Sequence, residues 1–284
     1  MIRRLVIPIR ADGMGENVLS HAALIAHRFH AHVEMLHCSP RPEDMLPFGI
    51  PLAGFLREQV LQSAARLASE EEAKLRGQFD AIVARLGLTP SPVPLAGRAT
   101  AAWREVPGKQ VDVIKTHGRL ADLIVVSKPD RDRNLGANTL KSALFNTGRP
   151  VLMCPPREDP PEVLGEHVAI AWNGSTEAAR AVAMTLGLIQ AARAVSIFAG
   201  GTEVHGASPA DLIDYLAARG VAAVLHGFEA KGRIGQRLLE AAEAFAADMM
   251  IMGAYSHSRE HETVFGGTTQ WVVDNVRLPV VLVR

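Results

Sequence analysis

Short apolar runs alternate with longer amphipathic stretches along the whole 284-residue chain, and the two periods in play are those of a strand and of a helix. In the first half, residues 5–9, 33–38, 123–126 and 151–154 are runs of four to six mostly aliphatic residues, the length and composition of buried strands. Helical spacing predicts a helix over 15–29, with Val18, Ala22, Ile25 and Ala26 on one side, and a long one over 55–86 through Leu61, Ala65, Leu67, Ala73 and Ile82. A further helix ends over 111–118, another lies near 139–145, and 92–95 reads as a weak strand. The second half repeats the order. Strands are expected at 168–172, 195–198, 223–227, 249–252 and 280–283, with helices at 177–188, 209–219, 235–246 and 268–274. Asn173-Gly-Ser-Thr supplies the capping chemistry that opens the first of these helices.

The repetition is visible in the residues themselves. Ala121-Asp122 corresponds to Ala247-Asp248 ahead of the fourth strand, and Pro150 to Pro279 ahead of the fifth. The two spacings are 126 and 129, so the first copy is three residues shorter in the intervening loop. Pro155-Pro-Arg-Glu-Asp-Pro-Pro161 carries no periodicity and is rich in proline and charge, the marks of a connection. These features divide the chain into a unit at 1–156, a linker at 157–163 and a second unit at 164–284. Strands separated by helices imply right-handed crossovers. The expected class is therefore α/β: two open parallel-sheet, Rossmann-like domains with helices on both faces, related by internal duplication. Ligands of such sheets sit beyond the carboxyl ends of the strands where the strand order reverses, and Asn173, Gly253 and the loop to Gly266 fall at that edge.

Composition narrows the picture. Lys+Arg and Asp+Glu both number 30, so no bulk positive charge points to nucleic acid. Cys38 and Cys154 are far apart and form no metal-ligand pair. The apolar run near Met1 is too short for a signal peptide, and no run approaches the roughly 18 residues of a membrane span. A cytoplasmic protein with no membrane partner is expected.

The candidate chemistry is concentrated near the C-terminus. Gly253-x-x-Ser256, nine residues, then Gly266-Gly-Thr-Thr269 joins an apolar strand to a helix start, placing backbone N–H groups where a phosphate could sit. This span resembles the nucleotide loop of the universal stress proteins, usually Gly-x-x-Gly, nine residues, Gly-Ser/Thr. Ala171-Trp-Asn-Gly-Ser175 is similar to the first-strand turn of that family, which normally carries Asp where this chain has Asn173. The resemblance covers nearly the whole chain as a tandem pair. It implies that Ala171, Trp172 and Phe198 wall an adenine and that Asn173 faces the ribose or a phosphate-bound Mg²⁺. It further implies that Met252 and Gly253 let the backbone approach the ligand, and that Gly266, Gly267, Thr268 and Thr269 donate to phosphates. The implied ligand is ATP or another adenine nucleotide.

Three positions depart from the family pattern. Ser256 replaces the second glycine, which is costly wherever the turn needs a positive φ. Gly267 replaces the hydroxyl residue while keeping its N–H. Asn173 lacks the carboxylate that suits Mg²⁺. The first copy departs further: Ser127-Lys-Pro-Asp130 stands where the glycine turn should be, Leu135-Gly-Ala-Asn-Thr139 has no phosphate turn, and the first strand ends in Arg10-Ala-Asp-Gly13. That half reads as a scaffold.

Elsewhere, His257 and His261 have metal-ligand spacing but lie among Ser258, Arg259 and Glu260 in a polar loop, where solvated side chains are the simpler reading. Asp122 and Asp248 open equivalent strands and read as structural. The apolar connection 45–52 suits a pocket cover, a subunit contact or burial on its own domain. No catalytic acid, base or nucleophile can be named from spacing. The expectation is a regulatory or protective stress-response protein, with at most slow ATP hydrolysis and an unknown protein partner. The last strand of each copy is an edge that seeks pairing, so the copies are expected to meet as an internal pseudo-dimer, with further homo-oligomerisation open. An interaction module without nucleotide is the alternative reading, and a nucleotide-using group-transfer enzyme a third.

Overall fold

The computed structural model describes residues 1–9, 13–39, 54–157, 161–200, 206–228, 232–255 and 267–284. Apolar segment 45–52, Ser256, His257, Arg259, His261 and Gly266 therefore lie outside the described residues, as does most of the Arg10–Gly13 turn. The first half contains β1 (Arg4–Ile9), α1 (Gly15–Phe29), β2 (His32–Ser39), α2 (Gly54–Arg85), β3 (Thr89–Pro90), β4 (Thr100–Pro107), α3 (Gln110–His117), β5 (Leu123–Ser127), α4 (Ala137–Asn146) and β6 (Val151–Cys154). The second contains β7 (His167–Trp172), α5 (Thr176–Met184), α6 (Leu186–Ala191), β8 (Ala194–Gly200), α7 (Pro209–Ala217), β9 (Ala223–Phe228), α8 (Ile234–Ala244), β10 (Met249–Gly253), α9 (Gly267–Asn275) and β11 (Val280–Val283).

All the strands join one sheet in the order β3-β4-β2-β1-β5-β6-β11-β10-β7-β8-β9. The order 4-2-1-5-6 of the first half recurs, mirrored, as 11-10-7-8-9 in the second. Pairing is parallel everywhere except at the centre, where β6 and β11 run antiparallel with Leu152 opposite Val281. The last strand of each copy is thus an edge satisfied by its counterpart, and the sheet runs unbroken through both. Alternation along each strand sends side chains to two faces. One face carries a core with α1, α2, α5, α6 and α7, and it holds both Leu152 and Val281. The other packs against α3, α4, α8 and α9.

Two expectations need correction. Residues 92–95 form no strand; prolines at 92 and 94 remove the amides a ladder needs. The strand lies later, in β4, which pairs with β2 along eight residues. The helix expected over 177–188 is two helices that meet at Thr185, whose hydroxyl donates to the Ala181 carbonyl at 2.6 Å.

Strand starts are fixed by two equivalent carboxylates. Asp122 Oδ2 accepts the amides of Arg3 (2.7 Å) and Arg4 (3.0 Å). Asp248 accepts those of Gly165, Glu166 and His167 at 2.6, 2.9 and 3.0 Å. Each Asp ties the strand it opens to the first strand of its own copy.

Candidate functional site in the second unit

In the second copy the strand order reverses between β7 and β10, because β7 leads outward to β8 while β10 leads inward to β11. The carboxyl ends of these two strands are where an α/β sheet opens a crevice. β7 runs into Asn173 and Gly174, whose φ of 74° turns the chain, and Ser175 then caps α5 by accepting the Ala178 amide at 3.2 Å. β10 ends at Gly253. Past the loop, α9 begins at Gly267.

Sheet register brings three of the expected residues into one row: Met252 is paired with Ala171, and Ala171 with Phe198. They share the face that packs on α8 and α9. Phe198 is buried beneath other aromatic rings, stacked on His226 at 5.3 Å and tilted against Phe245 at 5.6 Å. It backs the row, and the protein's own rings cover it. Trp172 is not part of this group. As the next residue after Ala171 it points to the opposite face, joins the other core, and donates Nε1–H to the Ala207 carbonyl at 3.1 Å.

Polar groups near the edge divide into engaged and open. Asn173 is exposed, but its Oδ1 accepts the Ser175 amide at 3.1 Å, a local turn that commits this oxygen. Thr269 is buried, and its Oγ1 accepts the Tyr255 amide at 3.3 Å. Gly253 is glycine for a packing reason: a Cβ there would stand 2.5 Å from the Ala178 nitrogen and 2.6 Å from the Glu177 carbonyl carbon. The start of α5 therefore occupies the space that the missing side chain leaves. Gly267 faces open space. The amides of Gly267 and Thr268 stand in the first turn of α9, whose leading N–H groups have no partner within the helix itself.

Tyr255, His226 and Phe245 were not singled out from sequence. Tyr255 carries the positive φ of the turn, 62°, on a bulky residue that rarely adopts it. Its amide bond to Thr269 and its ring contact with Phe145, at 5.3 Å between centroids, hold it there. Burial, with Asp274 nearby, raises its phenol pKa above the usual tyrosine range. A tyrosine between Gly253 and Ser256 gave no signal of its own, since the left-handed turn was expected at position 256.

The equivalent edge of the first copy is closed. Asp130 and Leu135 exchange backbone hydrogen bonds, both at 2.9 Å, and Asp130 Oδ1 accepts the Arg133 amide at 3.0 Å. The amides of Asp130, Arg133, Asn134 and Leu135 are spent inside this tight loop. Its cations point across the seam: Lys128 Nζ donates to the Val276 carbonyl at 3.2 Å, and Arg131 pairs with Asp274 at 2.7 Å. Where the second copy carries a glycine loop, the first has a clamp onto α9.

Both cysteines are free thiols. Burial pushes Cys38 up to about 11 and Cys154 well above the ordinary thiol value, so neither is a thiolate near neutrality. Among the described residues, no group of three or more His, Cys, Asp or Glu is placed to hold a metal.

The family model described as the universal stress protein family matches residues 199–284. No curated protein matches the chain in sequence. Among solved structures, a universal stress protein from Archaeoglobus fulgidus DSM 4304 superposes with a TM-score of 0.73 at 16% identity, covering 99% of this chain and 98% of its own. A protein of unknown function from Pseudomonas aeruginosa PAO1 gives a TM-score of 0.57 at 17% identity, covering 99% of this chain and 92% of its own. At such identities these likenesses speak for the fold, whereas the family model speaks for the second unit's sequence. Residues 199–284 are thus similar in sequence to the universal stress protein family, and the fold likeness to solved structures of that family extends over the whole chain.

Proposed function

We propose that the second unit binds an adenine nucleotide, ATP or a relative, at the β7–β10 edge, and that the chain acts as a regulatory or protective stress protein whose ligand state alters contacts with a protein partner. The observation that carries this reading is the start of α9 at this edge, where Gly267 faces open space and the helix terminus presents its leading amides. Those amides and the Thr268 hydroxyl would hold phosphate oxygens, aided by the helix terminus. The half-buried Ala171 and the buried Met252 would offer an apolar wall to the base. Charge-assisted bonds contribute about 1.5–3 kcal/mol each, and three with a packed base suffice for micromolar affinity, roughly 8 kcal/mol. Mg²⁺, if carried in, would be held by the phosphates, because Asn173 brings no carboxylate and its Oδ1 is engaged. The proposal sets the protein in the cytoplasm; no described helix is long and apolar enough to cross a membrane.

Calorimetric titration with ATP and AMP, with and without Mg²⁺, tests the reading. Saturable binding that Gly267→Asp abolishes supports it, and no heat from either nucleotide defeats it. Asn173→Asp should strengthen binding only when Mg²⁺ is present.

A second reading, an interaction module without nucleotide, draws on the groups already engaged: Gly253 packed on α5, Thr269 bonded to Tyr255, and Asn173 bonded to Ser175. Purified protein that releases no nucleotide on denaturation and takes up none favours it.

A further inference from the structure

The first unit contains a cleft of about 570 Å³ between α1 and α2, beside the ends of β1 and β2, within the size range of small-molecule sites. Its origin lies in two glycines. Gly13, at φ 83°, faces open space where a side chain would stand, and a Cβ at Gly15 would stand 3.3 Å from Ile9 Cδ1. Without those side chains the start of α1 leaves a gap, and α2 roofs it with residues recurring every three or four positions. Ile9 and Met35 from the strands and Leu75, Phe79 and Ile82 from α2 give the cleft an apolar lining.

The rim decides the ligand class. Glu16 and Arg85 neutralise each other in an ion pair across the cleft. Lys74, exposed and about one helical turn from both Glu71 and Gln78, makes no ion pair among the described residues. Glu71 lies three residues before Lys74 and also lines the cleft, so it opposes any anion placed there. Among the described residues, none following β5 lines this space, which separates it from the strand-order reversal between β1 and β5.

We infer that this cleft binds an amphipathic carboxylate, its apolar body on the half-buried Leu75 and Ile82 and its head at Lys74. A fatty acyl chain and an aromatic acid share that chemistry. Isothermal titration of the full chain with decanoate in one arm and 2-naphthoate in the other tells them apart. Saturable binding is expected in at least one arm. Lys74→Glu should weaken it about tenfold, a change of 1.4 kcal/mol, whereas Glu71→Gln should leave it equal or tighter. Gln78→Trp, made at an exposed helix position, should fill the cleft and abolish binding. Ala81→Phe, also exposed and lining the cleft, repeats that test if the first variant folds poorly. The inference is overturned if neither acid binds saturably, if binding survives a folded filling variant, or if Lys74→Glu binds as the parent does. Nucleotide titrations of the same variants should be unchanged, so failure here and failure of the proposed nucleotide site remain distinct results.

Discussion

Single residues in this molecule do jobs that their motifs do not announce. Gly253 sits in what reads as a ligand loop, yet α5 fills the space beside it. Gly253→Ala should therefore destabilise the chain by about 1–3 kcal/mol through overpacking against backbone, even without ligand, as a lower urea midpoint. Asp248 holds three amides with one carboxylate. Asp248→Ala should cost about 3 kcal/mol, more than Asp122→Ala, which releases two. His21 gives a pH dependence. It is buried, with Nδ1 bonded to the Asn17 carbonyl at 2.7 Å. Burial lowers its pKa below the ordinary 6.5, with Arg157 adding to the lowering and the bond to Asn17 partly opposing it. The folded chain then takes up this proton less readily than the unfolded chain. Stability is fully present above about 6.5 and falls as pH drops from there toward the lowered folded value. Glu34 adds a second loss at lower pH. Burial alone would raise its pKa, but Arg4 and Arg104 overcome that and hold it below 4.5. Its contribution is present above 4.5 and disappears as pH falls through the depressed value. Melting temperature should be level near neutrality and decline on acidification, and His21→Leu should lessen the first part of that decline, which His32, His37 and His117, also lowered by burial, share.

At the scale of elements, local chemistry and long-range pairing leave different traces in sequence. α7 starts with a capping box in which Ser208 Oγ accepts the Asp211 amide and Asp211 accepts the Ser208 amide. Ser208→Ala should lower stability by about 1 kcal/mol, read as a shifted urea midpoint at unchanged slope. The cap at Asn173-Gly-Ser-Thr and the apolar runs of β1, β5, β6, β10 and β11 were legible because a few neighbouring residues specify them. β4 was not: Thr-Ala-Ala-Trp-Arg-Glu-Val-Pro mixes small, charged and aromatic residues, and its pairing with β2 makes it a strand. The break at Thr185 was hidden too, since no proline marks it and Gly187, two residues on, lies inside α6. The candidate site divides in the same way. Glycines and threonines of the loop were visible in order, and Ala171, Met252 and Phe198 do share a row. Which face Trp172 takes depended on the strand's phase, and which groups are covered or engaged depended on α5, Tyr255 and Phe245, brought in by tertiary packing. The closed loop after β5 was visible as a missing glycine turn, but its cations' reach to α9 was not.

Across the whole molecule, the two copies are joined too extensively to behave as beads on a string. The β6–β11 ladder carries Leu152 and Val281 through the centre of a core shared by α1 and α5. On one face, Arg28 of α1 donates to the carbonyls of Leu164 (3.3 Å), Gly165 (2.8 Å) and Ala191 in the second copy. On the other, Lys128 and Arg131 hold the end of α9, and Arg284 lies 4.2 Å from the Phe145 ring centroid. A guanidinium that satisfies three carbonyls leaves all of them without a donor when it is removed. Arg28→Met, which keeps most of the apolar stem, should therefore cost about 1.5–3 kcal/mol, and Leu152→Ala about 2–5 kcal/mol. Because these contacts bind the copies into one core, urea unfolding should be a single transition in the parent chain. The loss of secondary structure and the change at Trp103 in the first copy should coincide with the change at Trp172 and Trp271 in the second. To separate them, each tryptophan should be followed in a chain where the others are phenylalanine. If the Trp103 transition separates from the other two in the parent chain, the seam is weaker than its contacts imply. If they separate only after Leu152→Ala or Arg28→Met, the seam is what makes two copies of one fold unfold as one protein.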